Sequence, residues 1–142
     1  MIYPILTPEE AADYIQNGMN IGVSGFTIPG NVKVIPPAIA KKAIREHEAG
    51  REFKVNIYSG ASTNDYTDGE LSRAHALNYR TPYQSLPEVR NRINAGEVHY
   101  NDRHLSELAQ EFRYGYYGKM DVALIEVQSI TDEGDIVLGT AV

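Results

Sequence analysis

Apolar positions along the chain repeat with two alternating periods, and the switches between them mark its elements. Ala11, Ala12 and Ile15 form a stripe behind Thr7-Pro8-Glu9-Glu10, which combines a capping hydroxyl, a proline suited to the first helical turn and a glutamate able to reach back to the cap. This predicts a helix opening at Pro8 and closed by a left-handed turn at Gly18. Asn20 to Ser24, apolar at Ile21 and Val23, reads as a short strand feeding a glycine-rich turn from Gly25 to Gly30. Ile35, Ile39, Ala43 and His47 then recur every four residues beside Ala40 and Ile44, predicting a helix from about Val34 to Ala49 that stops at Gly50. Phe53 to Tyr58 is rich in β-branched and aromatic types and runs into Ser59-Gly60-Ala61-Ser62-Thr63, a strand followed by a loop of small residues.

The same alternation continues downstream. Ser85-Leu86-Pro87-Glu88 is a second capping signature, with Val89 and Ile93 spaced by four and Gly96 as the stop. Leu105, Leu108, Ala109 and Phe112 follow the i, i+3, i+4, i+7 helical template, and the continuous apolar run from Val122 to Ile125 suits a strand buried on both faces. Helices and strands in alternation predict an α/β fold, an open and mainly parallel sheet flanked by helices. Ile136 to Val142 is almost wholly apolar or small, carries no charge and ends without a capping or turn signal. Termini are normally exposed and polar, so the expectation is a polypeptide cut from a longer one. No internal repeat, low-complexity tract or linker interrupts the chain.

Composition narrows the function. The 142 residues suit one domain rather than two, and 42% apolar with 23% charged residues is the balance of an ordinary globular protein. A net charge of -6 leaves no field that favours polyanions, so no nucleic-acid partner is expected. The absence of cysteine excludes disulfides, cysteine-ligated zinc and a thiol nucleophile, and fits a reducing, cytoplasmic setting. No apolar run approaches the roughly 18 residues needed to span a bilayer, and Met1 to Glu10 lacks the pattern of a signal peptide, so no membrane partner is expected either.

Several constellations could carry chemistry. Ser24-Gly25-Phe26-Thr27-Ile28-Pro29-Gly30 lies between a strand and a helix, where backbone amides can approach a ligand, or where the chain simply turns tightly. It lacks both the Lys-Ser/Thr ending of a phosphate loop and the G-x-G-x-x-G spacing. Gly22-Val23-Ser24-Gly25 is not a nucleophile elbow, because Phe26 stands where the second glycine is needed. The Ser59 to Thr63 loop could line the same crevice or be an ordinary exposed loop. His99 and His104 flank Asp102 at a spacing that matches no metal motif, so no metal is expected, and His47 and His75 read as surface or half-buried residues of helices. Glu126, at the end of an apolar strand, is either a carboxylate nucleophile or base or an ion-paired structural residue. Arg80, Arg90 and Arg92 could meet an anionic ligand, but three arginines amid abundant acids read as solvated surface.

Taken in order, Ser24-Gly25-Phe26-Thr27 with Gly30 and Lys33, Gly60-Ala61-Ser62-Thr63, Arg92-Ile93-Asn94-Ala95-Gly96-Glu97 and His104-Leu105-Ser106 resemble the start of the acetyl-CoA hydrolase/transferase family, the coenzyme A transferases of small carboxylic acids. Ile125-Glu126 and the stretch from Ile130 to Val137 are similar as well, so the resemblance covers nearly the whole chain. It implies a CoA-transferase-like, sugar-phosphate-isomerase-like three-layer architecture, here incomplete. Residues 1–142 would be the N-terminal portion of the N-terminal domain, and the catalytic C-terminal domain would lie outside them. It further implies a reaction in which a glutamate of that second domain attacks an acyl-CoA thioester, becomes a glutamyl-CoA thioester and passes CoA to an acceptor carboxylate. Acyl-CoA is then a substrate and no cofactor is permanently bound. In this reading Gly60, Ala61, Ser62 and Thr63 help to hold the oxyanion, with Ser62 matched to the first-domain donor. Gly25, Phe26, Thr27 and Gly30 shape the acyl end of the cleft, while Lys33, His104 and Glu126 are secondary candidates. Ile28-Pro29 departs from the smaller residues of relatives and leaves the substrate size open.

A stand-alone module that senses a CoA ester or a phosphorylated metabolite without turnover is the rival reading. A sugar-phosphate isomerase would need acids and a lysine in a phosphate-lined cleft, which this chain does not assemble. The missing remainder of the polypeptide would leave apolar surface exposed, so a homo-oligomer is also expected.

Overall fold

The computed structural model describes residues 3–25, 28, 30–61 and 65–139. Helix α1 (Pro8–Asp13) opens on the expected capping box: Thr7 Oγ1 accepts the Glu10 N–H at 3.2 Å while Glu10 Oε2 accepts the Thr7 N–H at 2.8 Å. It ends earlier than expected. Tyr14 is its C-cap, and Gly18 instead turns the chain into the sheet, with φ +83 and its N–H donating to the Lys54 carbonyl at 2.7 Å.

Strands β1 (Asn20–Val23), β2 (Val55–Tyr58), β3 (Leu77–Thr81), β4 (His99–Tyr100) and β5 (Val122–Leu124) form one sheet in the order β4-β3-β2-β1-β5, parallel at every pairing. Helix α2 (Ile35–Glu48) connects β1 to β2, and Gly50 follows its C-cap in the left-handed region. A π-helical turn (Asp65–Gly69) leads into the single turn α3 (Glu70–Arg73). Helix α4 (Pro87–Asn94) joins β3 to β4, and α5 (Leu105–Arg113) precedes β5. A two-stranded antiparallel hairpin, β6 (Val127–Ile130) with β7 (Ile136–Leu138), follows β5.

Because side chains alternate across a strand, the sheet divides into two faces. Ile21, Val55, Ile57 and Leu77 point to the face covered by α1 to α4, and with Ile15, Ile39, Leu71 and Val89 they form the core. Gly22, Tyr58 and Ala123 lie opposite, in register across three strands, on the face that α5 partly covers. Helices on both sides of a parallel sheet make the expected three layers.

Four further expectations change. Among the described residues, Val122 to Ile125 is not buried on both faces, because β5 lies at the edge of the sheet with half-buried or exposed residues. Ser85 is not the N-cap of α4; Leu86 is, and its hydrocarbon side chain makes no capping bond. His75 is not helical but sits in the turn after α3 with φ +52. Arg80 is 1% exposed, the opposite of solvated surface.

Candidate functional site

Parallel strands deliver their exits to one end of a sheet, and here the exits of β1, β2 and β5 open into one cleft of about 490 Å³. Its floor is Gly22, Tyr58 and Ala123; one wall is Leu105, Leu108, Ala109 and Phe112 of α5; Ile125, Ile136 and Leu138 close another side. Ser24, Ser59 and Gly60 stand at the strand exits as its few polar positions. Glycine and alanine in register beside Tyr58 keep the floor low: a Cβ on Gly22 would meet nothing nearer than the Val122 carbonyl at 4.0 Å.

Ser24 binds the mouth together. Its N–H donates to the Leu124 carbonyl at 2.9 Å, its Oγ donates to the Gly30 carbonyl at 3.1 Å and accepts the Glu126 N–H at 2.9 Å. Gly25 passes so close to residues 30 and 31 that a Cβ would lie 2.6 Å from Asn31 Oδ1 and 2.7 Å from the Gly30 carbonyl, at φ +104, so only glycine fits. Both Gly30 and Asn31 are buried behind that turn. Phe26, Thr27, Ser62 and Thr63 lie outside the described residues.

The second exit is held from below. Arg80 Nε donates to Asp68 Oδ1 at 2.6 Å, and Nη2 donates to Asp68 Oδ2 at 3.4 Å and to Ser59 Oγ at 2.7 Å, while Nη1 donates to the Thr81 carbonyl. Both charged side chains are 1% exposed. Gly60 and Ala61 continue from this anchored serine.

Aromatic rings fill the inner end. Tyr58 packs edge-on against Phe112 at 5.2 Å between centroids and lies 5.3 Å from Tyr117 and 5.4 Å from Tyr79. Burial, with the neighbouring Tyr79 adding to it, pushes the Tyr58 hydroxyl up to about 12; burial and the hydrogen bond to Glu111 push Tyr117 up to about 12 as well. Beneath them, Asn78 donates to Asn56 at 2.7 Å and Asn56 to Asn20 at 2.9 Å, which in turn donates to the Lys119 carbonyl at 2.9 Å. This amide ladder ties three strands to the turn that follows α5.

The sequence candidates are therefore only partly brought together. Lys33 and Glu126 meet in an ion pair at 3.1 Å, each 43% exposed, which supplies the partner that sequence reasoning did not find for Glu126. Neither lines the cleft. His104 is the exposed N-cap residue of α5 and borders a separate shallow depression with Asp102, Arg103 and Glu107. Among the described residues, no three or more of the metal-ligating types gather into a metal site, and no helix is long and apolar enough to cross a membrane. Sequence reasoning missed Tyr58 and Asp68 and the burial of Arg80, although the β-type run Tyr79-Arg80-Thr81 was a visible strand signal.

The family model for the acetyl-CoA hydrolase/transferase N-terminal domain matches residues 3–142. The chain belongs to that family. It is 43% identical over 138 residues to a succinyl-CoA:acetate CoA-transferase of Clostridium kluyveri and 39% identical over 137 residues to a propanoyl-CoA:succinate CoA transferase of Escherichia coli K12. These matches cover 97% and 96% of the chain but 25% and 28% of the relatives, so it spans about a quarter of the enzymes it matches. An acetyl-CoA hydrolase of Schizosaccharomyces pombe is 32% identical over 144 residues, covering 97% of the chain and 27% of that relative. The fold recurs in an acyl-CoA transferase (YdiF) of Escherichia coli O157:H7, solved as a thioester complex with CoA, with a TM-score of 0.61 and 16% identity over 80% of this chain and 23% of that one. It recurs also in RipA of Yersinia pestis, with a TM-score of 0.66 and 17% identity over 92% of this chain and 30% of that one.

Proposed function

We propose that this chain builds the first walls of the substrate cleft of an enzyme that exchanges coenzyme A between an acyl-CoA and a small carboxylate, with water as the acceptor where the outcome is acetyl-CoA hydrolysis. The observation that carries the reading is the apolar cleft at the carboxyl ends of β1, β2 and β5, edged by the small-residue exits at Ser24 and Ser59–Gly60. Membership of the family supports the reaction class.

In this reading a carboxylate nucleophile outside residues 1–142 attacks the thioester carbonyl and expels CoA as the thiolate, leaving an anhydride. The thiolate returns to the enzyme's own carbonyl, which releases the first acid and leaves a glutamyl-CoA thioester; the acceptor carboxylate then repeats the two steps in reverse. This chain contributes electrostatics and shape. Amides of the 60–63 loop hold negative charge on the carbonyl oxygen, and the 25–30 loop bounds the acyl end. Glu126 is a structural partner of Lys33, not the nucleophile. The exposed apolar Ile125, Ile136 and Leu138 are covered by the remainder of the polypeptide or by a second copy, and a cytoplasmic setting belongs to the same proposal.

The test is incubation of the whole polypeptide, and separately of residues 1–142, with acetyl-CoA and succinate, followed by intact mass measurement. A CoA adduct on a carboxylate outside residues 1–142, and none on the 142-residue chain, is the expected result. An adduct mapped to Glu126 and lost in Glu126→Gln overturns the assignment. Saturable binding of acetyl-CoA by the whole polypeptide without adduct or exchange favours the non-catalytic binding module.

A further inference from the structure

Ser59 and Arg80 stand in a relation that the family resemblance does not assign. Ser59 lines the cleft, and its Oγ accepts a hydrogen bond from Arg80 Nη2 at 2.7 Å. Arg80 has no freedom to be elsewhere. Its Nε and Nη2 are engaged by Asp68, its Nη1 by the Thr81 carbonyl, and the whole side chain is 1% exposed. A guanidinium only donates, so the serine oxygen is committed as an acceptor on that side, and its single proton is turned away from Arg80. No hydrogen bond carries that proton to a described residue. Accepting from a cation also polarises the hydroxyl and strengthens it as a donor.

We propose that Ser59 is a ligand-binding residue whose hydroxyl donates to a carbonyl or carboxylate oxygen in the cleft, and that Arg80, fixed by Asp68, is the positioning residue that orients it. The inference rests on the proposed function for the identity of the ligand. The anchor is built from three separate segments: Arg80 from β3, Asp68 from the π-helical turn and Ser59 from the exit of β2. π-helical turns are rare and frequent at functional sites, and this one carries the Asp68 that holds Arg80. Arg80 itself does not line the cleft, so its contribution passes through the serine.

The experiment uses the whole polypeptide, with calorimetric titration of acetyl-CoA as one arm and the rate of CoA exchange onto succinate as the other. Ser59→Ala is expected to weaken acetyl-CoA binding and to lower kcat/KM by roughly a hundredfold or more, as loss of one oxyanion donor does, with the fold retained at a lower unfolding midpoint because the buried Arg80 loses one acceptor. Ser59→Thr keeps a hydroxyl and is expected to restore most of both. Arg80→Lys lowers kcat in the wild-type background and adds nothing in the Ser59→Ala background, because residues acting through one group are not additive. If Arg80→Lys does not fold, the near-isosteric Asp68→Asn serves for the same comparison. Wild-type binding and rate in Ser59→Ala overturn the donor role, and equal slowing by Arg80→Lys in both backgrounds overturns the positioning role. A wild type that binds acetyl-CoA but never exchanges CoA overturns the proposed function instead, and the binding arm still decides Ser59.

Discussion

Ser24 Oγ accepts the backbone N–H of Glu126 at 2.9 Å, a bond between residues 102 positions apart that joins the exit of β1 to the exit of β5. The same hydroxyl donates to the Gly30 carbonyl, so one side chain closes the glycine turn and pins the edge strand. Ser24→Ala removes both bonds. Each is worth about 1 kcal/mol net, and the exposed Glu126 N–H can turn to water, so a loss of about 1–2 kcal/mol is expected in urea unfolding. A loss indistinguishable from zero would show that the loop holds its shape without the serine.

Leu108 and Leu105 are one helical turn apart on α5 and both line the cleft, but Leu108 is 4% exposed and Leu105 47%. Leu108→Ala is therefore expected to destabilise by about 2–3 kcal/mol and to loosen α5 from the sheet. Leu105→Ala should change stability by no more than about 0.5 kcal/mol. Denaturant titration of the two variants side by side checks the contrast, and equal losses would refute the packing described for α5.

Gly22 separates stability from binding. A methyl group here meets no atom nearer than 4.0 Å, and alanine in a strand costs less conformational entropy than glycine by about 0.5–1 kcal/mol. Gly22→Ala should thus be as stable as the wild type or slightly more so, while the added methyl raises the cleft floor and weakens acetyl-CoA binding severalfold. Thermal unfolding and calorimetry on the same preparation read the two effects, and unchanged binding would remove Gly22 from the site.

Tyr58 holds its proton up to about 12 because burial disfavours the phenolate. Its folded-state pKa is above the unfolded value near 10, so its contribution to stability is fully present below pH 10 and is lost as pH rises from about 10 to 12. Alkaline unfolding followed alongside phenolate absorbance should show a late-titrating step that Tyr58→Phe reduces. If the absorbance lost in Tyr58→Phe is instead that of a phenol titrating near 10, the ring is solvated.

Local signals in the sequence were enough for α1, α2, α4, α5, β1 and β2. Thr7 and Glu10 reach each other within one turn, and the stripes of α2 and α5 need only a helix to become faces. The alternation of these elements also implied a parallel sheet, and with it loops that emerge at one end, because a parallel connection returns each strand in the same direction. Strands β3 and β4 escaped notice: β4 is two residues long, and β3 carries Asn78 and Arg80, whose polarity hides a strand from any reading based on hydrophobicity. The tertiary structure decided everything that depends on residues far apart in the chain. Arg80 is an ordinary surface cation until Asp68 and Ser59 are folded around it, and burial without them would be prohibitive. Glu126 has no partner among its neighbours in sequence, and only the fold brings Lys33 to it at 3.1 Å. Val122 to Ile125 reads as a strand buried on both faces because its residues are apolar, yet burial depends on which elements pair with and pack on a strand, and among the described residues only β1 pairs with β5. Side-chain period and capping are properties of neighbours in sequence, whereas desolvation, ion pairing and strand order are properties of neighbours in space.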